Sequence, residues 1–352
     1  MSTSSLANRA KNIYARPVRS ILVIKLRAIG DVLISTAVIP NLRAAFPDAR
    51  IDMLTERMAA DIIIGNPDLN DSIIFSPRHD NILSLFFSLR RRRYDMVFDL
   101  FCNPRSAQMS FATGAPLRIG YPFRGRAWAY NHHVQSRADR VHNIEFNLDA
   151  LRSIDIPIIE RRMLLPVEEA HRTWASAVTH EARRAPGPLI ALNPSGTWQT
   201  KRWGLEQFAE LADRLVDTLN AEILLVWGPG EESDVRRIAT RMRHTPLLPP
   251  ASTLKQLAAM FECCDFTISN DSGPMHISAA MGTPTLGIFG PTNPLLQGPW
   301  HDGSAWVRLE GLACLACNRT SCDIGTVCMR DLAVDAVYAS FIHLMEKHHA
   351  SS

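Results

Sequence analysis

Residues 269–276 hold the side chains best suited to binding chemistry, in the order Ser-Asn-Asp-Ser-Gly-Pro-Met-His. An apolar segment, 266–268, precedes them and small residues, 277–281, follow, which predicts a strand, a polar turn and a helix. Free backbone N–H groups and the positive end of the helix dipole meet at such a turn, so it suits an anion and above all a phosphate. Because Asn, Asp and Ser also cap ordinary helices, this run alone leaves both interpretations open.

A second polar turn, residues 193–203, follows the apolar segment 189–192. Ser195 and Thr197 can offer hydroxyl donors to a phosphate, and Lys201 can supply a point charge. The alternative is a solvated basic loop, although two tryptophans beside two cations after a buried strand are unusual for one. Two turns of similar build favour a ligand that contains phosphate.

Two acidic positions complete the candidate chemistry. Glu231 and Glu232 follow a glycine-rich turn after the apolar segment 222–227, where an acid suits ribose hydroxyls or plain helix capping. Asp31 follows Gly30 at the head of a helix, where it is either a general base or a helix-start acid worth roughly 0.3–1 kcal/mol.

Strands and helices alternate along the chain, which predicts an α/β fold with a doubly wound parallel sheet in each half. Ligands of such sheets bind beyond the carboxyl ends of the strands, so we expect a cleft between two domains. Strands are predicted at 21–26, 51–54, 72–75, 95–100, 189–192, 222–227, 266–269 and 285–289, and helices at 81–92, 205–219, 231–242 and 254–261.

The domain organisation follows from these elements and from the prolines between residues 157 and 188. We expect a disordered tail (1–17), a first Rossmann-like domain (18–165), a linker region (166–187), a second Rossmann-like domain (188–330) and a C-terminal helix (331–352) that could pack back on the first domain.

Composition narrows the class of protein. The 352 residues are 46% hydrophobic and 21% charged, which is typical of a globular protein rather than a disordered one. A net charge of +3 does not indicate nucleic acid, and no apolar run reaches the roughly 18 residues of a membrane span. Seven cysteines without an export signal favour reduced thiols and a cytoplasmic location.

Three blocks at 21–43, 193–212 and 269–294 resemble glycosyltransferase family 9, the lipopolysaccharide heptosyltransferases. The resemblance implies a GT-B fold, with two Rossmann-like domains facing a cleft. The first domain (18–165) would lie on the acceptor side, and the second (188–330) would bind the nucleotide-sugar. It also implies inverting transfer of heptose from ADP-L-glycero-β-D-manno-heptose to the inner core of lipopolysaccharide. The alternatives are a related GT-B transferase with another nucleotide-sugar and a non-catalytic nucleotide-sugar-binding protein.

The resemblance also assigns roles to residues. It implies that Asp31 is the catalytic base and that no metal or other cofactor is required. It places Lys201 and residues 271–273 against the donor diphosphate, with Glu231 or Glu232 near the ribose. With the turn donors above, the predicted donor-binding residues are Ser195, Thr197, Lys201, Glu231, Glu232, Asp271, Ser272, Gly273 and His276.

The acceptor is expected to meet cations in a loop at 118–126, where Arg118, Arg124 and Arg126 suit phosphates or sugar carboxylates. The apolar run 82–89 followed by four arginines, 90–93, either docks peripherally at the cytoplasmic face of the inner membrane or covers the sheet with a solvated basic end.

A cysteine cluster lies near the C-terminus, at Cys314, Cys317, Cys322 and Cys328. Its spacing is near that of zinc knuckles, but reduced thiols fit equally and the implied reaction needs no metal, so no metal ligand is predicted.

Overall fold

The structure is a computed structural model that describes residues 17–180 and 186–351. The chain divides into two compact units, residues 1–166 and 167–352. The predicted tail lies, except for residue 17, outside the described residues. Within the predicted linker region, Glu169–His180 forms a helix that packs on the helix Leu254–Glu262, so this part belongs to the second unit.

The first unit is built on six parallel strands in the order β3-β2-β1-β4-β5-β6. They are β1 (Ser20–Ile24), β2 (Arg50–Glu56), β3 (Asp71–Phe75), β4 (Met96–Asp99), β5 (Leu117–Gly120) and β6 (His132–His133). Every residue of β1 is buried, as expected for a central strand covered on both faces. The chain leaves β1 in one direction and returns to β4 on its other side, so the topological switch point lies between these two strands.

Six helices of this unit lie within residues 17–166, the part of it that the structure describes. They are α1 (Ile29–Ser35), α2 (Val38–Ala45), α3 (Ala60–Ile63), α4 (Ile82–Arg91), α5 (Pro104–Thr113) and α6 (Asn143–Arg152). Short 3-10 turns occur at Arg57–Ala59, Phe123–Gly125 and Ala127–Ala129.

The second unit has five parallel strands in the order β11-β10-β9-β7-β8, and its switch point lies between β7 and β9. The strands are β7 (Leu189–Asn193), β8 (Glu222–Leu225), β9 (Phe266–Asn270), β10 (Thr285–Phe289) and β11 (Ala305–Arg308). Residues of β7, β9 and β10 are buried throughout, which explains their uninterrupted apolar runs.

The described part of the second unit, residues 167–180 and 186–351, also contains eight helices and a 3-10 turn at Gln199–Lys201. They are α7 (Glu169–His180), α8 (Leu205–Leu219), α9 (Glu232–Ala239), α10 (Leu254–Glu262), α11 (Gly273–Ala280), α12 (Pro294–Gln297), α13 (Val327–Arg330) and α14 (Val334–Ser351). The C-terminal helix α14 buries Val337, Phe341 and Leu344 in the core of this unit. This side of α14 is therefore occupied, and packing on the first domain stays a prediction.

The predicted fold class, two doubly wound Rossmann-like units of the GT-B type, is confirmed. The sequence prediction missed β5, β6 and β11, and it was wrong to treat residues 118–120 as loop. These strands are only two to four residues long, and β5 and β11 each include an arginine, so no apolar run marks them. No helix within 17–180 or 186–351 is long and apolar enough to cross a membrane.

Candidate functional site

Two buried asparagines join the turns at the carboxyl edge of the second sheet. Asn193, the last residue of β7, donates through Nδ2 to Ser269 Oγ (2.8 Å) and Ser272 Oγ (2.9 Å). Asn270, the last residue of β9, donates to the carbonyl of Pro194 (2.7 Å). The two turns that were predicted separately to bind phosphate are thus parts of one site. Sequence reasoning did not single out either asparagine, although each ends an apolar strand.

An ion pair links the same turns. Lys201 Nζ lies 2.7 Å from Asp271 Oδ2, and their side chains are only 14% and 4% exposed. Thr292, which follows β10, donates to the same carboxylate oxygen. The Lys201 ammonium lies 4.7 Å from the centre of the Trp198 ring and makes a cation–π contact with it. The pair therefore fixes the position of an ammonium whose remaining N–H groups can serve a ligand.

The start of helix α11 offers backbone donors beside this ammonium. Ser272 is the N-cap residue, but its side chain makes no capping bond to the helix and instead accepts from Asn193. Gly273 begins the helix, and Pro274 follows it without an N–H group. The uncapped first turn is suited to an anion. His276 is buried one turn further along.

Two residues of the turn after β7 differ in their exposure. Ser195 is 6% exposed, and its hydroxyl oxygen has no hydrogen-bond partner within the described residues. Burial of such an unpaired hydroxyl destabilises the folded protein unless a ligand or a water molecule forms a hydrogen bond with it. Thr197, by contrast, is exposed.

The two candidate acids after β8 face different surroundings. Glu231 accepts from Arg202 (3.2 Å) and from the backbone N–H of Gly228 (3.1 Å), so it organises the turn. Glu232 pairs along its helix with Arg236 and lines a cavity of about 380 Å³. The other lining side chains include Trp227, Leu248, Pro249 and Pro250. Sequence reasoning singled out the turn that contributes Glu232 but missed the cavity, because the part of its wall at residues 248–251 has no motif.

At the carboxyl edge of the first sheet, Asp31 lies in the first turn of α1 and is half-buried. Its Oδ2 accepts from the backbone N–H of Ala28 at 3.2 Å. The preceding loop is held in place because Leu26 accepts hydrogen bonds from the Glu56 N–H (2.9 Å) and the Thr55 hydroxyl (3.1 Å).

Two other carboxylates at this edge are already occupied. Asp99 is fully buried, and it accepts from the Cys102 N–H (2.8 Å) and the Tyr130 hydroxyl (2.7 Å). Burial raises the pKa of Asp99 despite these donors. Glu56 is 7% exposed and forms an ion pair with Arg105 at 2.8 Å. Asp31 is therefore better placed than either to meet a substrate hydroxyl.

The three arginines predicted to meet an acceptor have different environments. Arg118 donates to the carbonyls of Ala129 (2.8 Å) and Ala115 (2.7 Å), which commits much of its guanidinium to holding the loop. Arg124 is exposed, and Arg126 is half-buried with its Nε unpaired within the described chain. Roles in acceptor binding stay a prediction for all three.

The cysteine-rich segment adjoins the site. Thr200 donates to the carbonyl of Arg319 (2.8 Å), and Asn318 N–H donates to that of Pro291 (2.6 Å). All seven cysteines are free thiols, and no three His, Cys, Asp or Glu side chains in the described ranges are arranged to hold a metal ion. The Cys322 sulfur accepts backbone N–H bonds from Ile324 and Thr326, and these lower the pKa of Cys322.

Comparison with known proteins identifies the family. The family model described as glycosyltransferase family 9 (heptosyltransferase) matches residues 82–327. The chain belongs to glycosyltransferase family 9. It is therefore an enzyme, a glycosyltransferase of the heptosyltransferase family, as the sequence predicted.

Individual relatives agree with this placement. The lipopolysaccharide core heptosyltransferase OpsX of Haemophilus influenzae is 22% identical over 298 residues, 82% of this chain and 84% of the relative. The structure of E. coli ADP-heptose lipopolysaccharide heptosyltransferase II has a TM-score of 0.75 at 21% identity, covering 94% of this chain and 99% of that one. E. coli heptosyltransferase WaaC with ADP-2-deoxy-2-fluoro heptose has a TM-score of 0.69 at 21% identity, covering 92% and 99%.

The unpaired Ser195 hydroxyl leads to a stability prediction. Ser195→Ala should leave the free energy of unfolding unchanged or slightly raised, because it removes a buried polar group that has no partner. The control is Ser269→Ala, where the hydroxyl donates to the Asn270 carbonyl (2.7 Å) and accepts from Asn193. That change should cost about 1–3 kcal/mol. Urea unfolding followed by tryptophan fluorescence measures both, and equal losses would show that Ser195 is bonded.

A pH-dependent prediction follows from Cys322. Because backbone N–H groups stabilise its thiolate, the pH midpoint for alkylation of Cys322 by iodoacetamide should be lower in the folded protein than in urea. Cys102 should stay unreactive when folded, since burial raises its pKa to about 12. Peptide mapping by mass spectrometry resolves each thiol. A Cys322 midpoint that is equal or higher in the folded protein would contradict the assignment.

Proposed function

We propose that this enzyme transfers heptose from ADP-L-glycero-D-manno-heptose to the inner core of lipopolysaccharide, with inversion at the anomeric carbon and with Asp31 as general base. The single observation on which the proposal depends most is the Lys201 ammonium, held 2.7 Å from Asp271 beside the uncapped start of α11. Further support comes from the names of the relatives, which are heptosyltransferases of lipopolysaccharide, and from the ADP-heptose analogue in one of them.

The proposed donor site divides into a diphosphate part and a nucleoside part. Lys201, the first N–H groups of α11 and the Ser195 hydroxyl would bind the diphosphate, assisted by Thr197, Asp271, Ser272, Gly273 and His276 around them. The adenosine would occupy the 380 Å³ cavity, whose apolar wall suits a base and whose Glu232 suits a ribose hydroxyl. Glu231 would act through Arg202, which it holds in place.

The reaction assigns one task to each unit. Asp31 accepts the proton of an acceptor hydroxyl as that oxygen bonds to the anomeric carbon. The bond from this carbon to the diphosphate breaks, and ADP leaves with the bonding electrons. The charge that develops on the diphosphate is stabilised by Lys201 and the α11 donors, which are already oriented and need no reorganisation. These groups can perform the electrostatic task without a metal or other cofactor.

The acceptor would be bound by cations of the first unit. Arg124 and Arg126 are the stronger candidates, because Arg118 is already bonded to two backbone carbonyls. A lipid-anchored core also implies that the enzyme works in the cytoplasm, in peripheral contact with the inner membrane.

The overall test is transfer from ADP-heptose to a panel of truncated lipopolysaccharide cores, with UDP- and GDP-sugars as donor controls. A heptosylated product with ADP-heptose alone is the expected result. Product with a different nucleotide-sugar, or with none, would contradict the proposed donor or the proposed acceptor.

The role of Asp31 makes a separate prediction. Asp31→Asn should lower kcat about 10²–10⁴-fold, because the amide cannot accept the proton, while ADP affinity measured by calorimetry stays within twofold. The matched control is Asp61→Asn, a half-buried acid in the first turn of α3 in the same unit. Both residues can favour a helix start, so equal effects of the two substitutions would reduce Asp31 to that role.

The role of Lys201 is tested in the same assay. Lys201→Met should lower kcat about 10²–10³-fold, since it removes one preorganised donor to the leaving group. Lys255→Met is the control, because Lys255 is also buried and ion-paired, with Glu168 at 2.8 Å, but lies on α10. If the two variants lose activity equally, with equal loss of stability, the Lys201 effect comes from folding rather than from the leaving group.

A further inference from the structure

Acidic residues are missing from two segments of the first unit. Residues 81–94 and 100–138 contain nine arginines and no Asp or Glu. The whole chain has 38 Lys+Arg and 35 Asp+Glu, so the remainder has 29 basic residues against 35 acidic ones. The mild net charge of the chain therefore conceals two basic segments, which include helices α4 and α5 and the loop after β5. Acids from outside these segments pair with Arg92, Arg105 and Arg137 and leave the other arginines to supply the positive charge.

Helix α4 has apolar side chains on two faces. Ile82, Leu85 and Phe86 pack against the core of the first unit, which satisfies the need to cover the sheet. Leu83 and Phe87, one turn apart, are nevertheless 59% and 73% exposed. Covering the sheet explains the first face and leaves the second unexplained.

The exposed apolar side chains continue on the neighbouring elements. Helix α5 packs beside α4, and the Arg90 guanidinium lies where a side chain on Gly114, at the end of α5, would begin. On α5 and the following loop, Phe111 and Trp128 are each 53% exposed and meet edge to face with ring centres 5.3 Å apart. One basic and apolar surface thus spans both helices.

We call this region the docking surface, and define it by the apolar residues Leu83, Phe87, Phe111 and Trp128 and the arginines Arg90, Arg91 and Arg93. Arg92 is not part of it, because its guanidinium bonds Asp52 (2.8 Å) and Asp71 (2.6 Å). Arg91 and Arg93 are exposed.

We infer that the docking surface binds an anionic phospholipid bilayer, with the apolar side chains entering the interface and the arginines facing lipid phosphates. The inference rests on the proposed function, which places the acceptor at a membrane. Charge complementarity favours a bilayer, because the surface offers arginines with no acid among them. Transfer of the exposed Leu and Phe side chains from water into the apolar part of the bilayer is also favourable. Aromatic side chains such as Trp128 suit the boundary between headgroups and acyl chains.

The binding should depend on both charge and apolar contact. Each arginine near an anionic surface contributes about fivefold to affinity, and this contribution weakens as salt shortens the Debye length. The apolar area buried in the bilayer should add a contribution to the binding free energy that does not weaken as salt is added.

The test measures co-sedimentation of the full chain with phosphatidylcholine vesicles that contain or lack phosphatidylglycerol. Wild type should bind the anionic vesicles, and salt should weaken this binding. The double variant Arg91→Glu, Arg93→Glu should reduce the affinity for anionic vesicles at least tenfold at low salt. The double variant Leu83→Ser, Phe87→Ser should reduce it at least tenfold at both low and high salt.

Matched controls lie elsewhere on the same unit. Met58→Ser with Ile159→Ser removes two apolar side chains of similar exposure, 56% and 65%, and Arg140→Glu reverses an arginine that is 79% exposed. These variants should bind vesicles as wild type does. Equal binding by the docking-surface variants, or wild-type binding that ignores phosphatidylglycerol, would overturn the inference. So would a Phe87-dependent dimer in sedimentation velocity, since a second copy would then cover the surface.

Transfer assays separate this inference from the proposed function. With a detergent-solubilised, truncated core acceptor, the docking-surface variants should keep wild-type kcat, and with the acceptor embedded in anionic vesicles they should lose at least tenfold. Vesicle binding without heptose transfer to any acceptor would contradict the proposed function and leave the docking surface supported. Transfer that is equally impaired with both acceptors would overturn the docking role.

Discussion

The ion pair between Lys201 and Asp271 is the interaction on which the second unit's site depends. Asp271 immediately follows β9, and Lys201 ends the 3-10 turn that follows β7, so the pair joins the two strands at the switch point of the sheet. Burial of both charges costs desolvation energy, which the contact with Thr292 and the cation–π contact with Trp198 help to offset. Loss of either partner would leave the other charge buried alone.

The first unit uses the same edge of its sheet differently. Lys25 is buried just after β1 and donates to the carbonyl of Leu100 (3.0 Å), and Asp99 accepts from the Cys102 N–H of its own loop and from the Tyr130 hydroxyl. Lys25 and Asp99 thus hold the surrounding loops in place. Asp31, on the neighbouring loop, is half-buried and accepts one hydrogen bond, from the Ala28 N–H at 3.2 Å. A carboxylate that holds a loop and one that can accept a proton are thus distinguished by exposure and hydrogen bonding rather than by sequence.

Much of the fold follows from the sequence because long buried strands need uninterrupted apolar runs. Helix α8 and strand β10 lie where periodicity predicts them, at Leu205–Leu219 and Thr285–Phe289. Short strands at the edges have no such run: β6 has two residues, His132 and His133, and they pair only through backbone bonds. Pairing of this kind depends on neighbouring strands, so local sequence does not report it.

The candidate site was predictable in its parts but not in its connections. The sequence predicts a binding role for Lys201, Asp271 and the α11 turn because each of them follows an apolar run that marks a buried strand. The links made by Asn193 and Asn270 run between positions about eighty residues apart in the chain. Only the parallel order of β7 beside β9 brings them together, and a single sequence gives no sign of that adjacency.

The cations of the turn after β7 also behave differently from what their sequence suggests. Lys201 is paired with Asp271, and Arg202 is paired with both Glu231 and Asp234, at 3.2 and 3.1 Å. The turn therefore offers oriented donors rather than an excess of positive charge. An anion bound there gains from the direction of N–H and O–H groups, as in an oxyanion site, and much less from long-range attraction. We expect a charged product to leave such a site more readily than it would leave an unpaired cluster of cations, because each cation keeps its carboxylate partner when the anion departs.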